Sequence, residues 1–399
     1  MSPAPPSPRR MRAAAAAAVL LAAAFARADV VHLRDGSKLG GTVLSDGPRL
    51  VRLRTSDGSV RTLRVEDVAR IERGVDLDAE ADRAALDARF MPGLDEAARK
   101  EVRRAAARYE TQSGRPLDAA ARPHAWVFGD QPQDQLLAIA NAVERTCDDF
   151  ATIWGCELRD VLPTGGSGDP GRLHVFQYRD EEGYRRFVDK VLERIRDETV
   201  DDARLALIRR QRGFWILSPR PILARYQGPS TLTTLVSNAS HETSHALLML
   251  YRPSGAWMPW WFLEGVASWQ EIRLTERNLT YCIDVPQPGG YAQDATPDAD
   301  EAAKAKTAEK WRRDVKARVR ARGERDLEQL GRLTLNEIVL EDVQQSWSFV
   351  DWLHRTERLV RFTAAYKEGR TLEAACRTVF EKEPAGVHEA WRAWVLANY

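Results

Sequence analysis

The tightest constraint on this chain is a pair of histidines one helical turn apart, His241 and His245, followed by Glu264 nineteen positions later. Residues at i and i+4 share one face of a helix. Two imidazoles so placed can converge on a single ion, at roughly 2.0–2.1 Å each for zinc. Glu242, displaced around the helix, can reach a reacting water without being a ligand, as a general base beside a Lewis acid does. Apolar residues lead in at Thr231–Leu235 and continue at Ala246–Leu250, and Arg252-Pro253 ends the helix. The helix is therefore expected to be buried.

A third ligand has to come from a second helix nearby. Glu264 lies in Trp261-Phe262-Leu263-Glu264-Gly265-Val266-Ala267-Ser268-Trp269-Gln270-Glu271, with Pro259 marking the helix start. Small residues Gly265 and Ala267 are expected to let the two helices pack closely. Glu271, two turns after Glu264 on the same face, is a candidate for orienting a ligand. Trp257, Trp260 and Trp261 either line a cleft or fill the core between these helices, and the core is favoured. The strand Ile222–Tyr226 just upstream is a candidate edge for an extended substrate, through Ile222, Ala224 and Tyr226.

The flanking sequence divides into distinct stretches. Arg9, Arg10 and Arg12 precede an apolar run from Ala13 to Phe25, and Ala26-Arg27-Ala28 has the A-x-A form. Residues 1–28 are expected to be a signal peptide, so the mature protein would be secreted or periplasmic, in the cell envelope. The run is too short for a stable membrane span. Residues 29–75 alternate in polarity around Asp35-Gly36, Asp46-Gly47 and Asp57-Gly58, which predicts a small SH3-like β-barrel whose partner is unknown. Residues 76–121, dense in Ala, Arg, Asp and Glu, read as a charged helical linker. Residues 122–275 alternate strands with helices and include both motif helices, and residues 276–399 read as helical. The fold class expected is α+β.

Lys plus Arg (59) nearly equals Asp plus Glu (58), so no domain-wide positive field favours nucleic acid. The basic run around Arg312–Arg322 reads as a solvated helix face. Cys147 and Cys156 either pair in an oxidising compartment or act as small buried hydrophobes. His32, His124, His174 and His388 are expected to be surface or satisfied core residues.

The stretch HETSH, eighteen intervening residues, then EGVASWQE resembles the gluzincin metallopeptidases, with the spacing of the aminopeptidase-N group. Residues 122–399 are most similar to the peptidase MA-like domains of secreted bacterial proteins. The resemblance implies a thermolysin-like zincin domain, sheet plus zinc helix and then a helical half. It implies one Zn2+ held by His241, His245 and Glu264, with Glu242 as catalytic base and acid. It further implies a secreted zinc peptidase acting on a peptide or protein substrate. Three places depart from the pattern. Ser268 stands where thermolysin-type enzymes carry Asp, the GxMEN strand of the aminopeptidases has no counterpart, and Val343 stands where relatives often have Tyr. Tyr281, Tyr291 and His354 are candidate donors to the transition-state oxyanion. Two other readings use the same residues: a non-catalytic envelope scaffold with a structural zinc, and hydrolysis of a non-peptide amide.

Overall fold

Alternating polarity at the start of the chain yields five antiparallel strands: β1 (Arg27–Leu33), β2 (Lys38–Asp46), β3 (Leu50–Thr55), β4 (Val60–Arg64) and β5 (Val68–Asp76). The computed structural model describes residues 27–46, 50–55, 59–76, 85–162, 171–192, 213–217, 221–226, 231–252, 258–280, 307–369 and 371–399. These strands belong to a first compact unit, residues 1–89; residues 90–399 form a second. The small core of the first unit is Val31, Val43, Val51 and Leu53, all on one face of the sheet. At the β1–β2 turn Gly36 has φ 90°, and Ser37 donates from its backbone N–H and its hydroxyl to Asp35 Oδ1.

The strand order is β4-β3-β2-β1-β5, and among the described residues no pairing joins β4 to β5. The expected closed barrel is thus seen as an open sheet. The physical reason lies in β4, which brings only the half-buried Leu63 to that core, so closure would bury little further apolar surface. Of the expected signal peptide, residues 1–26 lie outside the described residues. Arg27 and Ala28 pair with Asp76 and Val75 as the first residues of β1.

The second unit begins at Phe90, so much of the expected linker belongs to it. Helix α1 (Glu96–Ser113) is N-capped by Asp95, whose side chain accepts from the Ala98 N–H at 2.7 Å. It buries a stripe of Val102, Ala105, Ala106 and Tyr109 and leaves its charges in water. Ala-rich β6 (Asp118–Arg122) follows, a strand without the alternating pattern that would announce it. Then come β7 (Ala125–Gly129), α2 (Gln133–Trp154), α3 (Leu158–Val161), β8 (Leu173–Tyr178), α4 (Glu181–Leu192), β9 (Gly213–Ile216) and β10 (Ile222–Tyr226).

The sheet order is β6-β7-β8-β10-β9, with β7, β8 and β10 parallel and both edge strands antiparallel. One face, through Trp126, Phe128, Phe176 and Ala224, packs with Val102 and Tyr109 of α1 and Phe187 of α4. The other, through Val127, Val175 and Leu223, joins the main core. Strands β7 and β8 are buried on both faces, which explains their continuous apolar runs.

This order corrects the substrate-edge expectation. Strand β10, with Ile222, Ala224 and Tyr226, is internal. Its two sides are taken by β8 and β9, and Gly213–Ile216 is the edge.

The helical half contains α5 (Leu232–Leu250), α6 (Trp260–Thr275), α7 (Ala308–Ala321), α8 (Leu327–Arg332), α9 (Leu340–Arg355), α10 (Leu359–Gly369), α11 (Leu372–Phe380) and α12 (Pro384–Asn398). Every residue of α6 from Trp261 to Ile272 is buried, and every residue of α9 from Asp342 to Leu353. A helix buried on all sides has to pair its polar residues inside the protein. Gly265 is small for a different reason from the one expected: a Cβ there would lie 2.9 Å from the Ser346 carbonyl, so it admits α9. Trp261 fills core, Trp260 packs at its margin, and Trp257 lies outside the described residues.

Cys147 and Cys376 are free and buried, and Cys156 is free and half-buried. No helix among the described residues is long and apolar enough to cross a membrane.

Candidate metal centre

Helix α5 starts at Thr231, whose hydroxyl accepts from the Thr234 N–H at 3.2 Å. Its end is capped from α10. The Lys367 ammonium, 2 % exposed, donates to the carbonyls of Leu248, Met249 and Tyr251 at 2.7, 3.1 and 2.5 Å. A cation there complements the negative end of the helix dipole. Burial pushes the Lys367 amine down to about 8.

Between these ends His241 and His245 face Glu264 of α6, and their ligand atoms lie within 4.8 Å of one another. The two Nε2 atoms are 3.1 Å apart. Glu264 Oε2 is 3.5 Å from His241 Nε2, and Oε1 is 3.3 Å from His245 Nε2. All three side chains are at most 2 % exposed. Burial works to raise the Glu264 carboxyl, but the adjoining imidazoles of His245 and His241 outweigh it and hold it well below the usual range.

The orientation of His241 is set from behind. Its Nδ1 lies 2.9 Å from Glu271 Oε2. Glu271 also accepts from Ser237 Oγ (2.5 Å), Asn278 Nδ2 (2.6 Å) and the backbone N–H groups of Leu279 and Thr280 (2.7 and 3.2 Å). Surrounded by donors, Glu271 acts as an acceptor, so the proton of neutral His241 sits on Nδ1. The Nε2 lone pair then points at the triad.

These residues fit a divalent cation. A lone pair on His241 Nε2 faces a second imidazole nitrogen, and buried Glu264 Oε1 takes no hydrogen bond. Such an arrangement is costly unless a positive charge lies between the donors. Tetrahedral bonds of roughly 2.0–2.1 Å place neighbouring ligand atoms about 3.3 Å apart. The two nitrogens, 3.1 Å apart, and the approach of each to one or the other Glu264 oxygen, at 3.5 and 3.3 Å, lie near that spacing. Two imidazoles and one carboxylate are a zinc donor set.

Glu242 is half-buried, at a cleft between the sheet and α5 that Gln177, Gly213, Arg225 and Asn238 also line. Arg225 Nη1 is 3.9 Å from Glu242 Oε1.

Of the other candidates, Tyr281 and Tyr291 lie outside the described residues. His354 packs on Trp269, at 4.7 Å between ring centroids, in a separate cleft that no triad residue lines. The structure does not bring it to the centre. Val343 is core packing. His124, His174 and His388 have partners of their own in Glu144, Tyr109 and Glu324.

Sequence reasoning missed Lys367, Ser237, Asn278 and Arg225. Asn278 reaches Glu271 because Glu276, at φ 65°, reverses the chain after α6. No local periodicity signals that reversal, and Lys367 lies more than a hundred positions from the helix it caps. No family model matches this chain, and no curated protein matches it in sequence.

Proposed function

We propose that the chain is a secreted zinc-dependent peptidase of the gluzincin kind, cutting peptide bonds of a protein or peptide substrate. The observation that carries this reading is the convergence of His241, His245 and Glu264 with Glu242 on the next position of the same helix. His241, His245 and Glu264 would hold the zinc. Bound there, zinc would supply a Lewis acid that polarises the scissile carbonyl and brings the pKa of water toward about 7.

The chain's own residues do the rest. The Glu242 carboxylate accepts a proton from the attacking water and returns it to the departing amine nitrogen. Glu271 holds the His241 ring in its ligand orientation. Strand β9, last in the sheet among the described residues, is where an extended substrate would add as a further strand. An intact general base supports a hydrolase over a metal-pinned scaffold, which needs none. The sheet followed by two buried motif helices is consistent with a zincin arrangement.

The test is Glu242→Gln. Metal content of the purified protein is expected to stay at wild-type level while casein hydrolysis falls by roughly 10²–10⁴-fold. Hydrolysis that survives the change, or a zinc-loaded wild type inert on casein and on peptide libraries, overturns the proposal.

A further inference from the structure

A second cleft, of about 320 Å³, opens where the C-terminal ends of α6 and α9 meet the start of α7. That volume is in the range of small-molecule sites. Its walls are Trp269, Ile272 and Trp347, the two tryptophans being 4 % and 1 % exposed. Its polar groups include Arg273, Arg312, His354 and Arg355 and, among the described residues, a single carboxylate, Asp351.

That carboxylate is already engaged. Asp351 accepts from Arg355 Nε at 3.1 and 3.0 Å, and from the Tyr399 hydroxyl at 3.0 Å. Arg273 is paired with Asp149 at 3.0 Å. Arg312 is different: it meets Asp351 only at 3.9 Å, and its guanidinium lies over the Trp347 and Tyr399 rings at 5.9 and 5.7 Å. Among the described residues its forked donors make no closer polar contact, and Arg312 lines the cleft. Trp347 also carries a buried Nε1–H that has no acceptor. Burial, then the Arg273 charge, holds His354 below its ordinary value against the opposing pull of Asp351 and Asp149. A cleft with apolar walls, surplus positive charge and a planar fork of free donors matches one ligand chemistry.

We propose that this cleft binds a small carboxylate with an apolar body, its charge on Arg312 and its body between Trp269 and Trp347. The site is separate from the metal centre, and the proposal does not depend on the peptidase reading. The carboxylate can belong to a free organic acid or to a peptide C-terminus.

The test is calorimetric titration of the full chain with benzoate, N-acetylphenylalanine and N-acetylphenylalaninamide, with tryptophan fluorescence as a second signal. Saturable binding of an acid is expected at a Kd of about 1 mM or tighter. The amide should bind roughly tenfold more weakly or worse, because it lacks the charge. Benzoate binding as well as N-acetylphenylalanine indicates a free acid; N-acetylphenylalanine alone indicates a peptide terminus. Arg312→Gln should lose roughly tenfold and Arg312→Lys less, since Lys keeps the charge without the fork. Glu264→Gln should leave acid binding unchanged. Equal binding of acid and amide, indifference to Arg312→Gln in a folded variant, loss of binding in Glu264→Gln, or no binding of either acid overturns the proposal.

Discussion

Replacing Gly265 by alanine tests whether the metal centre is held by the packing of α6 on α9. An added Cβ would lie 2.9 Å from both the carbonyl carbon and oxygen of Ser346 and 3.0 Å from its Cβ. Ordinary carbon contacts are about 3.5–4.0 Å, so α9 has to retreat by roughly half an ångström or more. The obstacle is backbone in a helix buried through twelve consecutive residues, which cannot turn aside as a flexible side chain could. Overpacking of this kind costs about 1–3 kcal/mol. Removing a glycine from a helix returns at most about 1 kcal/mol. The net expectation is a loss of about 1–2 kcal/mol, or roughly 2–6 °C in Tm. Glu264 is the adjacent residue, and metal–ligand distances tolerate only about ±0.2 Å. Zinc affinity, read by chelator competition, should fall roughly tenfold. Gly331→Ala is the control: its Cβ would meet only Leu372 Cδ2, at 3.7 Å, so it should gain up to about 1 kcal/mol. If Gly265→Ala melts no lower than wild type and binds zinc equally well, the packing argument is wrong.

Three further outcomes follow from the same geometry. Glu271→Gln should weaken zinc binding by roughly 10–100-fold by loosening the His241 ring while the far-ultraviolet circular dichroism stays the same; an unchanged affinity would remove Glu271 from any orienting role. Lys367→Met leaves three carbonyls at the end of α5 without their donor, and urea unfolding should show a loss of about 1–3 kcal/mol. The hydrogen bond that His124 Nδ1 donates to Glu144 Oε1 raises His124 above its ordinary value, against the opposing effect of burial. Its contribution to stability should therefore be complete below about pH 6.5 and fade as pH rises through the raised value. The stability gap between wild type and His124→Gln, from urea melts at pH 5.5 to 9, should narrow toward high pH; a gap that widens contradicts the assignment.

Local pattern carried far in this chain. The i, i+4 spacing of His241 and His245, the acid nineteen positions on and the alternation of the first strands each depend on neighbours along the backbone, where helix and strand periodicity act directly. Helices α2, α5 and α6 and strands β7, β8 and β10 were legible for that reason.

Tertiary structure decided what periodicity cannot encode. Whether Ile222–Tyr226 lies at an edge depends on where β9 adds, and hydrogen-bond pairing places it inside. Gly265 turned out to accommodate α9, because helix contacts are set by which ridges meet across the core. His354, chemically able to donate to an oxyanion, faces Trp269 in another cleft. The ring of donors around Glu271 exists only once the chain reverses at Glu276, and the cap on α5 only once α10 brings Lys367 to its carbonyls. Residue types along the chain determined which chemistry was available. Long-range packing determined which of those groups meet, because bringing distant side chains within a few ångströms requires the whole core to form.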